Sequence, residues 1–380
     1  MTVPVPKSIV SELGQRQRAS ALRTLAINRG GVDLCSNDYL GLARDLATAG
    51  PARTVAGGAT GSRLLSGNTA EHESLERFIA DFHQTEAALI FGSGYEANLG
   101  LLSALGARND TVLYDELVHA SMRDGIRLGF ARSFSFRHND ANDLREKLSR
   151  SRGETFVAVE SLYSMDGHES PLAEILDVCE QHGAFLIVDE AHATGVYGPK
   201  GQGLVQALGL SARVFARIHT FGKALGYRGG AVVGPAALRD YLINVSRPFI
   251  YSTAPDPASL AAIRECYLRQ SEMSGRRERL AGLVRHFREM TGDFPNLEFL
   301  ESSSPIQGVV IPGNRNALEA EQALAAQGYF ARAIRSPTVP AGSERLRLCL
   351  HAFNTESEIK RALTILSDCA ASAEQEACAV

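Results

Sequence analysis

The distribution of hydrophobic and polar positions predicts alternating strands and helices over residues 86–235. Short apolar runs predict buried strands at 87–91, 112–114, 132–136, 156–159, 185–188, 214–219 and 231–233. Segments with apolar positions three and four residues apart separate these runs and predict helices, for example from Gly94 and after Ser170-Pro171. Strands that alternate with helices are typical of α/β proteins. We therefore predict an α/β fold in which a mostly parallel, seven-stranded sheet lies between helices.

The segments outside this region predict further parts of the chain. Residues 7–28 predict a basic helix, 57–69 a glycine-rich loop, and 257–291 a long charged helix. Beyond residue 295, short strands at 297–300, 307–311 and 345–350 accompany helices at 317–326 and 355–370. We therefore predict an N-terminal helical arm (1–44), a large domain (45–256), a linker helix (257–294) and a smaller C-terminal α/β domain (295–380).

Composition excludes several classes of protein. The chain has 380 residues, 44% hydrophobic and 22% charged, which is ordinary for a globular protein with a large core. Its net charge of −4 offers no positive surface for nucleic acid. The six cysteines show no CxxC spacing, which favours reduced thiols over zinc ligands or disulfides. The first residues lack the apolar core of a signal peptide, and no apolar run is long enough to span a membrane. We expect a cytoplasmic enzyme without a metal, nucleic-acid or membrane partner.

Two predicted strands each lead to a residue with useful chemistry. The apolar run 185–188 ends at Asp189, and the run through His219-Thr220 leads to Lys223 between small and apolar neighbours. A lysine at a strand end is more often a surface residue, but these flanks argue against full exposure. Loss of hydration disfavours the ammonium and makes the amine a nucleophile, while a carboxylate can hold a cationic ring nitrogen. The pair predicts pyridoxal 5'-phosphate (PLP), which needs a lysine for its aldehyde and an acidic partner for its ring.

The turn Gly92-Ser93-Gly94-Tyr95-Glu96-Ala97 permits a different cofactor. It follows a strand and fits GxGxxA, and Asp115 lies about 20 residues farther on, as in dinucleotide-binding proteins. A glycine turn at a helix N-terminus binds any phosphate, including that of PLP. Lys223 and Asp189 favour PLP, because a nicotinamide dehydrogenase has no evident use for them. A dehydrogenase remains the alternative enzyme class, and the absorbance of the purified protein would distinguish the two.

Other motifs have competing interpretations. Residues 189–192 spell the DEAH box of helicases, but Gly222-Lys223 is followed by Ala224, so no GxxxxGK[ST] phosphate loop accompanies it. The charge balance also disfavours a nucleic-acid-binding protein, the non-enzyme alternative. His119 fits a core histidine and a site residue about equally well. In Arg345-Leu346-Arg347 the alternation of a strand places both arginines on the same face. That face is either exposed to solvent or binds a carboxylate.

A set of motifs in a single order resembles the α-oxoamine synthases. These fold-type I PLP enzymes join an amino acid to an acyl thioester with loss of carbon dioxide. The resemblance extends from about residue 10 to residue 368. It is carried by residues 36–42 (SNDYLGL), 61–68 (GSRLLSGN), 164–167 (SMDG), 189–195 (DEAHATG), 220–223 (TFGK), 251–253 (YST) and 345–348 (RLRL).

The resemblance implies a role for each matching residue. Lys223 would hold PLP and move the Cα proton, Asp189 would pair with the ring nitrogen, and His119 would stack on the ring. The other implied cofactor contacts are Gly94, Tyr95, Ser164, His192, Thr220 and Thr253, with Thr253 supplied by the partner subunit of a homodimer. The implied substrate contacts are Arg23 for the acyl group, Arg347 for the amino acid's carboxylate, His119 and Asn37, with Glu160 as a supporting residue.

Further features bear on the substrates. The length without extensions, the arm 20–23 and the turn 337–342 resemble members that condense L-alanine with a pimeloyl thioester, and the resemblance implies coenzyme A or an acyl carrier protein as its carrier. Members that use glycine, serine or another acyl donor share the same core and are the alternative. Cys349 departs from the family's pattern, in which we expect a threonine near this position.

Overall fold

The computed structural model describes residues 5–23, 30–49 and 58–378. The helices are α1 (Lys7–Arg18), α2 (Leu42–Ala49), α3 (Ala70–Phe82), α4 (Gly94–Leu102), α5 (Ala120–Leu128), α6 (Ala141–Leu148), α7 (Leu172–Gln181), α8 (Leu204–Ala207), α9 (Ala236–Val245), α10 (Arg247–Ile250), α11 (Pro257–Ser271), α12 (Ser274–Met290), α13 (Asn314–Ala326) and α14 (Glu356–Cys378). The strands are β1 (Val32–Asp33), β2 (Ala87–Phe91), β3 (Thr111–Asp115), β4 (Arg132–Phe136), β5 (Thr155–Glu160), β6 (Phe185–Asp189), β7 (Ala216–Thr220), β8 (Gly230–Gly234), β9 (Glu298–Phe299), β10 (Ile306–Val310), β11 (Tyr329–Phe330), β12 (Arg332–Ile334) and β13 (Arg345–Cys349).

The chain forms two compact units. The large unit consists of described residues of Asn37–Ser164 and His168–Glu278. The small unit consists of described residues of Met1–Ser36, Met165–Gly167 and Arg279–Val380. The division into an arm, a large domain, a linker and a small domain stays a prediction.

The large unit is built on the predicted sheet. Among the described residues this sheet has seven strands in the order β2-β8-β7-β6-β5-β3-β4, and β8 alone runs antiparallel to its neighbours. The mostly parallel sheet is therefore confirmed. Its register pairs Glu160 at the end of β5 with Asp189 at the end of β6, and Asp189 with Ile218 of β7. Carboxyl ends of parallel strands are where α/β proteins bind ligands.

Apolar packing on both faces explains why these segments form central strands. Every residue of β2, β5, β7 and β8 is buried. One apolar cluster includes Leu101, Met122 and Phe156, and a second includes Ile79 and Tyr267. Each such side chain contributes about 1.5–3 kcal/mol when it leaves water. Strands covered on both faces have continuous apolar runs, which is the pattern in the sequence.

The small unit contains a second sheet. Its strands have the order β12-β13-β10-β9, and all of these pairs are antiparallel. β1 pairs in parallel with β11 in a separate two-stranded sheet. Helices α13 and α14 also belong to this unit. The mixture of strands and helices beyond residue 295 therefore agrees with the smaller α/β region in the prediction.

The structure corrects several local predictions. The first helix ends at Arg18, because the chain turns at Ser20 with a φ of 50°, and residues 24–28 of the predicted helix lie outside the described residues. The glycine-rich loop contains a π-helical turn at Arg63–Gly67, and Gly57 lies outside the described residues. Pro171 is the N-cap of α7 and not its first residue. The predicted long charged helix is in fact two helices, α11 and α12. The sequence does not show the break between them, because charged residues continue across it.

Two further observations concern membrane-spanning helices and the state of the cysteines. No helix in the described ranges has both the length and the apolar character needed to cross a lipid bilayer. Cys35, Cys179, Cys266 and Cys369 are free thiols. Burial raises the pKa of Cys35 and Cys266 to about 11 and that of Cys179 to about 12, so these thiols stay protonated at neutral pH.

Candidate active site

Asp189 occupies the end of a central strand, and backbone and side-chain donors hold its carboxylate. The residue is 4% exposed. Its Oδ1 accepts the N–H of Ala191 at 2.8 Å, and its Oδ2 accepts Nδ2 of Asn98 at 2.6 Å. Because a buried carboxylate is costly unless donors surround it, these two bonds make a fixed negative charge possible here.

Lys223 lies three residues beyond β7 in a tight turn. In this turn the N–H of Gly226 donates a hydrogen bond to the carbonyl oxygen of Lys223 at 2.8 Å. Gly226 has a φ of 68°, a conformation that glycine adopts more easily than other residues. Phe221 is fully buried, while Lys223 is half-buried. The positive charge of Lys223 acts on Glu160 and His119, so the lysine shares their surroundings. Of the three predicted catalytic residues, Asp189 and His119 are connected through hydrogen bonds, and the charge of Lys223 acts on His119.

Glu160 is a second carboxyl group beside Asp189. The side chain is buried, and Oε1 accepts the backbone N–H of His119 at 2.6 Å. Burial, followed by the negative charge of Asp189, raises the pKa of Glu160 to about 8, and the charge of Lys223 opposes the rise. At neutral pH Glu160 is therefore mostly protonated.

His119 is the N-cap of α5 and presents an exposed ring. Its Nδ1 accepts the backbone N–H of Ser121 at 3.2 Å and lies 2.7 Å from Ser121 Oγ. Partial desolvation lowers the pKa of His119, the charge of Lys223 lowers it further, and that of Asp189 opposes both. The imidazole is therefore neutral at neutral pH.

The first turn of α4 provides a site for a phosphate. Ser93 caps this helix by accepting the N–H of Glu96 at 3.1 Å, and Gly94 and Tyr95 are its first two residues. Free N–H groups and the helix dipole attract anions at such an end. The Thr220 hydroxyl lies beside Gly94, where a Cβ on the glycine would be 2.9 Å from Oγ1. The predicted group Gly94, Tyr95 and Thr220 is thus close together, with the Tyr95 hydroxyl donating to Asp124.

Two further predicted residues are joined through a tyrosine. The hydroxyl of Tyr39 lies 2.8 Å from Nδ1 of His192 and donates to Oδ1 of Asn37 at 3.2 Å. Tyr39 is completely buried, and His192 is 4% exposed. The bridge fixes the imidazole in the loop that follows Asp189.

Other predicted residues lie apart from these contacts. Thr253 is exposed, forms an isolated bridge with Ser62, and lines a cavity of about 310 Å³ together with Gly92. Ser164 is half-buried in the turn after β5, and the described contacts do not join it to Lys223.

The predicted substrate arginines belong to the small unit. Arg347 is half-buried on β13, where it pairs in register with Gly308 and Arg332. Arg23 is exposed and donates from Nη2 to Thr338 Oγ1 at 3.0 Å. Arg345, the second arginine of the same strand, is buried in an ion pair with Asp166.

The comparisons with known proteins identify the family of this chain. The family model "Aminotransferase class I and II" matches residues 29–366. An 8-amino-7-oxononanoate synthase of Alkalilimnicola ehrlichii is 42% identical over 343 residues, which cover 88% of this chain and 87% of the relative. The chain belongs to the α-oxoamine synthases. It is an acyltransferase of the PLP-dependent, fold-type I class.

Solved structures show the same fold in other α-oxoamine synthases. A serine palmitoyltransferase of S. paucimobilis, solved with bound PLP and myriocin, superimposes with a TM-score of 0.86 at 28% identity, covering 96% of this chain and 97% of that one. The 8-amino-7-oxononanoate synthase of Francisella tularensis gives a TM-score of 0.75 at 28% identity, covering 89% of this chain and 97% of that one.

The residues of this α-oxoamine synthase fit PLP. The N-terminus of α4 with Thr220 suits its phosphate, and the Asp189 carboxylate, which two donors stabilise, suits a protonated ring nitrogen. Lys223 would supply the amine for its aldehyde, and the exposed His119 would offer a surface for stacking. The donor set therefore matches both ends of the cofactor.

Sequence reasoning did not assign roles to three residues of the site. Asn98 and Ser121 connect Asp189 with His119, and Tyr39 connects His192 with Asn37. A polar Asn98 within the apolar helix segment GYEANLGLL was an available signal. Tyr39 is part of the motif at 36–42 but carried no assigned role.

Proposed function

We propose that this α-oxoamine synthase condenses L-alanine with a pimeloyl thioester and releases carbon dioxide, giving 8-amino-7-oxononanoate for biotin synthesis. The main support is the identity of 42% over 88% of the chain with a relative of that name. A second candidate is a family member that uses glycine, serine or another acyl donor. The similarity to serine palmitoyltransferase over 96% of the chain favours this alternative, but at the lower identity of 28%.

PLP supplies an electron sink that stabilises negative charge at the substrate's Cα. In our proposal Lys223 binds the cofactor and afterwards carries the proton to and from Cα. Asp189 pairs with the ring nitrogen, and its two donors from Ala191 and Asn98 keep it in one orientation. Since burial raises the pKa of Glu160 to about 8, that carboxyl is protonated at neutral pH and leaves Asp189 as the negative charge for the ring.

The remaining roles follow the same proposal. Gly94, Tyr95 and Thr220 bind the phosphate, and neutral His119 stacks on the ring and contacts the substrate. Ser164 and His192 would contact the phenolic oxygen, and the Tyr39 hydroxyl, 2.8 Å from Nδ1 of His192, would orient that imidazole.

Substrate contacts complete the assignment. Arg347 binds the amino acid's carboxylate, Arg23 contacts the acyl group and Asn37 supports the substrate. Coenzyme A and an acyl carrier protein are both possible carriers of the thioester. A half-buried guanidinium such as Arg347 suits a carboxylate because it donates two parallel hydrogen bonds.

We also propose a cytoplasmic homodimer in which Thr253 contacts the phosphate of the partner subunit. Leu65 is 87% exposed and Tyr251 is 72% exposed. They lie on the two segments that the bridge between Ser62 and Thr253 joins. Large apolar side chains exposed together mark contact surfaces, and a second copy would cover them. The free thiols at Cys35, Cys179, Cys266 and Cys369 fit a reducing compartment.

The substrate assignment is tested by a matrix of steady-state assays. L-alanine, glycine and L-serine are each combined with pimeloyl, acetyl and palmitoyl thioesters, and products are identified by mass spectrometry. We expect the highest kcat/KM for L-alanine with the pimeloyl thioester. Turnover of serine with the palmitoyl thioester, without activity toward alanine, would reject the assignment in favour of the alternative.

The residue roles are tested with two variants and matched controls. Lys223→Ala should lose the yellow colour of the bound cofactor and all turnover, whereas Lys200→Ala, which removes an exposed lysine, should keep both. Asp189→Asn should retain the cofactor but nearly eliminate exchange of the Cα hydrogen of alanine with solvent, measured by NMR. Normal exchange in Asp189→Asn would mean that another group holds the ring nitrogen. The exposed Asp240→Asn is the control.

A further inference from the structure

Asn98 connects two residues of the site that approach it from different elements. Its Nδ2 lies 2.6 Å from Oδ2 of Asp189 and 3.1 Å from Oγ of Ser121. Ser121 Oγ in turn lies 2.7 Å from Nδ1 of His119. An amide nitrogen has two hydrogens, so both contacts use Asn98 fully as a donor. The reversed amide would place its oxygen against the carboxylate, which excludes that orientation.

Because Asn98 Nδ2 is the donor in both contacts, the directions of the other hydrogen bonds can be assigned. Ser121 Oγ accepts from Asn98, so its single hydrogen is available for Nδ1 of His119. The backbone N–H of Ser121 also points to Nδ1, at 3.2 Å. A ring nitrogen that accepts two donors cannot carry a proton, so neutral His119 has its hydrogen on Nε2.

Close packing of two helices makes the connection possible. Asn98 and Ser121 are 2% and 1% exposed. Gly125 of α5 faces α4, where an added Cβ would lie 3.0 Å from the carbonyl oxygen of Asn98. Because water is largely excluded, neither Asp189 nor Ser121 has an easy substitute for the amide donor.

We propose that Asn98 is a positioning residue that sets the orientation of the Asp189 carboxylate and the tautomer of His119 at the same time. The inference rests on the roles proposed above for Asp189 and His119. With Nε2–H fixed, His119 can donate toward the substrate side but cannot become an imidazolium without losing both donors on Nδ1. One amide thereby orients both the Asp189 carboxylate and, through Ser121, the imidazole of His119.

The charged groups around His119 are consistent with this assignment. Asp189 and Asp124 favour protonation of the imidazole, and Lys223 disfavours it. Glu160 accepts the backbone N–H of His119 and is mostly protonated at neutral pH. Desolvation is the largest influence and lowers the pKa of His119, so the ring is neutral, and the two donors on Nδ1 then decide which nitrogen carries the hydrogen.

The test uses the apoprotein labelled with ¹⁵N-histidine, so its first readout does not depend on PLP or turnover. The His119 signals are assigned by their loss in His119→Gln. The wild type should show an unprotonated Nδ1 and a protonated Nε2 at pH 7. In Asn98→Ala and in Ser121→Ala the Nδ1 signal should move toward a mixture of tautomers, whereas Asn142→Ala, an exposed control, should match the wild type.

The second measurement uses the holoenzyme and distinguishes the contact of Asn98 with Asp189 from its contact with Ser121 and His119. Asn98→Ala should shift the pH titration of the cofactor absorbance by at least about half a pH unit and lower kcat at least tenfold. Ser121→Ala keeps the bond from Asn98 to Asp189 and should leave the absorbance titration unchanged. If Asn98→Ala does not fold, the same measurements are made on Asn98→Ser.

Either of two results overturns the inference. One is a wild-type histidine spectrum in both Asn98→Ala and Ser121→Ala. The other is an Asn98 variant whose only change is a lower melting temperature, without a shift in the absorbance titration. A changed histidine spectrum combined with normal Cα exchange in Asp189→Asn would instead reject the proposed role of Asp189 and leave the connection through Asn98 intact.

Discussion

Replacement of Glu160 by glutamine should change the pH dependence of folding stability. Glu160 is 3% exposed at the end of β5. Burial and the neighbouring charge of Asp189 raise its pKa from 4.5 to about 8. The glutamine oxygen can still accept the backbone N–H of His119, which lies 2.6 Å from Oε1 in the wild type. The variant therefore keeps the shape and the hydrogen bond of the protonated side chain and cannot ionise.

The sign of the effect follows from the two protonation states. The folded protein keeps a proton that the unfolded chain releases above pH 4.5, so wild-type stability falls as the pH rises from 4.5 through 8 and then levels off. At 1.36 kcal/mol for each pH unit, the loss due to Glu160 approaches about 5 kcal/mol over this window. Groups far from Glu160 titrate in the same way in both proteins and cancel in the difference.

Urea unfolding of the apoproteins, followed by circular dichroism at pH 5, 7 and 9, measures the difference directly. We expect the two proteins to differ by less than about 1 kcal/mol at pH 5 and the variant to be more stable by several kcal/mol at pH 9. The exposed Glu154→Gln should show no such trend. A difference between wild type and Glu160→Gln that is the same at all three pH values would refute the reasoning.

Two further predictions concern cofactor binding and the core. Gly94→Ala places a Cβ 2.9 Å from Oγ1 and 3.0 Å from Cβ of Thr220, so we expect the dissociation constant of PLP, measured by fluorescence titration, to rise at least tenfold with little change in melting temperature. Arg63→Met leaves Glu76 buried without the guanidinium that contacts it at 2.8 Å, and should lower the unfolding free energy in urea by about 3–5 kcal/mol. Arg16→Met breaks an exposed pair and should cost less than about 1 kcal/mol.

Much of the large unit was predictable because its strands are buried on both faces. Segments such as β5 and β6 are continuous apolar runs, and their neighbours along the chain are helices with one apolar face. Breaks without a change in hydrophobic pattern were not predictable. The gap between α11 and α12 interrupts a charged segment. The π-helical turn at Arg63–Gly67 starts next to Ser62, which forms a bridge with Thr253, a residue far away in the sequence.

The site shows the same limit. Asp189 and Lys223 were predictable because each follows a strand whose end the apolar pattern marks. The pairing of Glu160 with Asp189 depends on strand register, which single segments do not specify. Asn98 and Ser121 meet only because α4 packs on α5, so a sequence pattern within either helix cannot show their contact.

The protonation state of the site depends on the order in which the sheet places its carboxyl groups. β5 and β6 are neighbours with Glu160 and Asp189 in register, so two carboxyls end at one buried edge and both cannot ionise cheaply. Asp189 has donors from Ala191 and Asn98, whereas Glu160 has the backbone N–H of His119. Burial, followed by the charge of Asp189, raises the pKa of Glu160 to about 8, so Glu160 keeps its proton at neutral pH. The strand register therefore explains why Glu160 carries a raised pKa: it ends beside the Asp189 carboxylate, which we propose as the partner of the ring nitrogen.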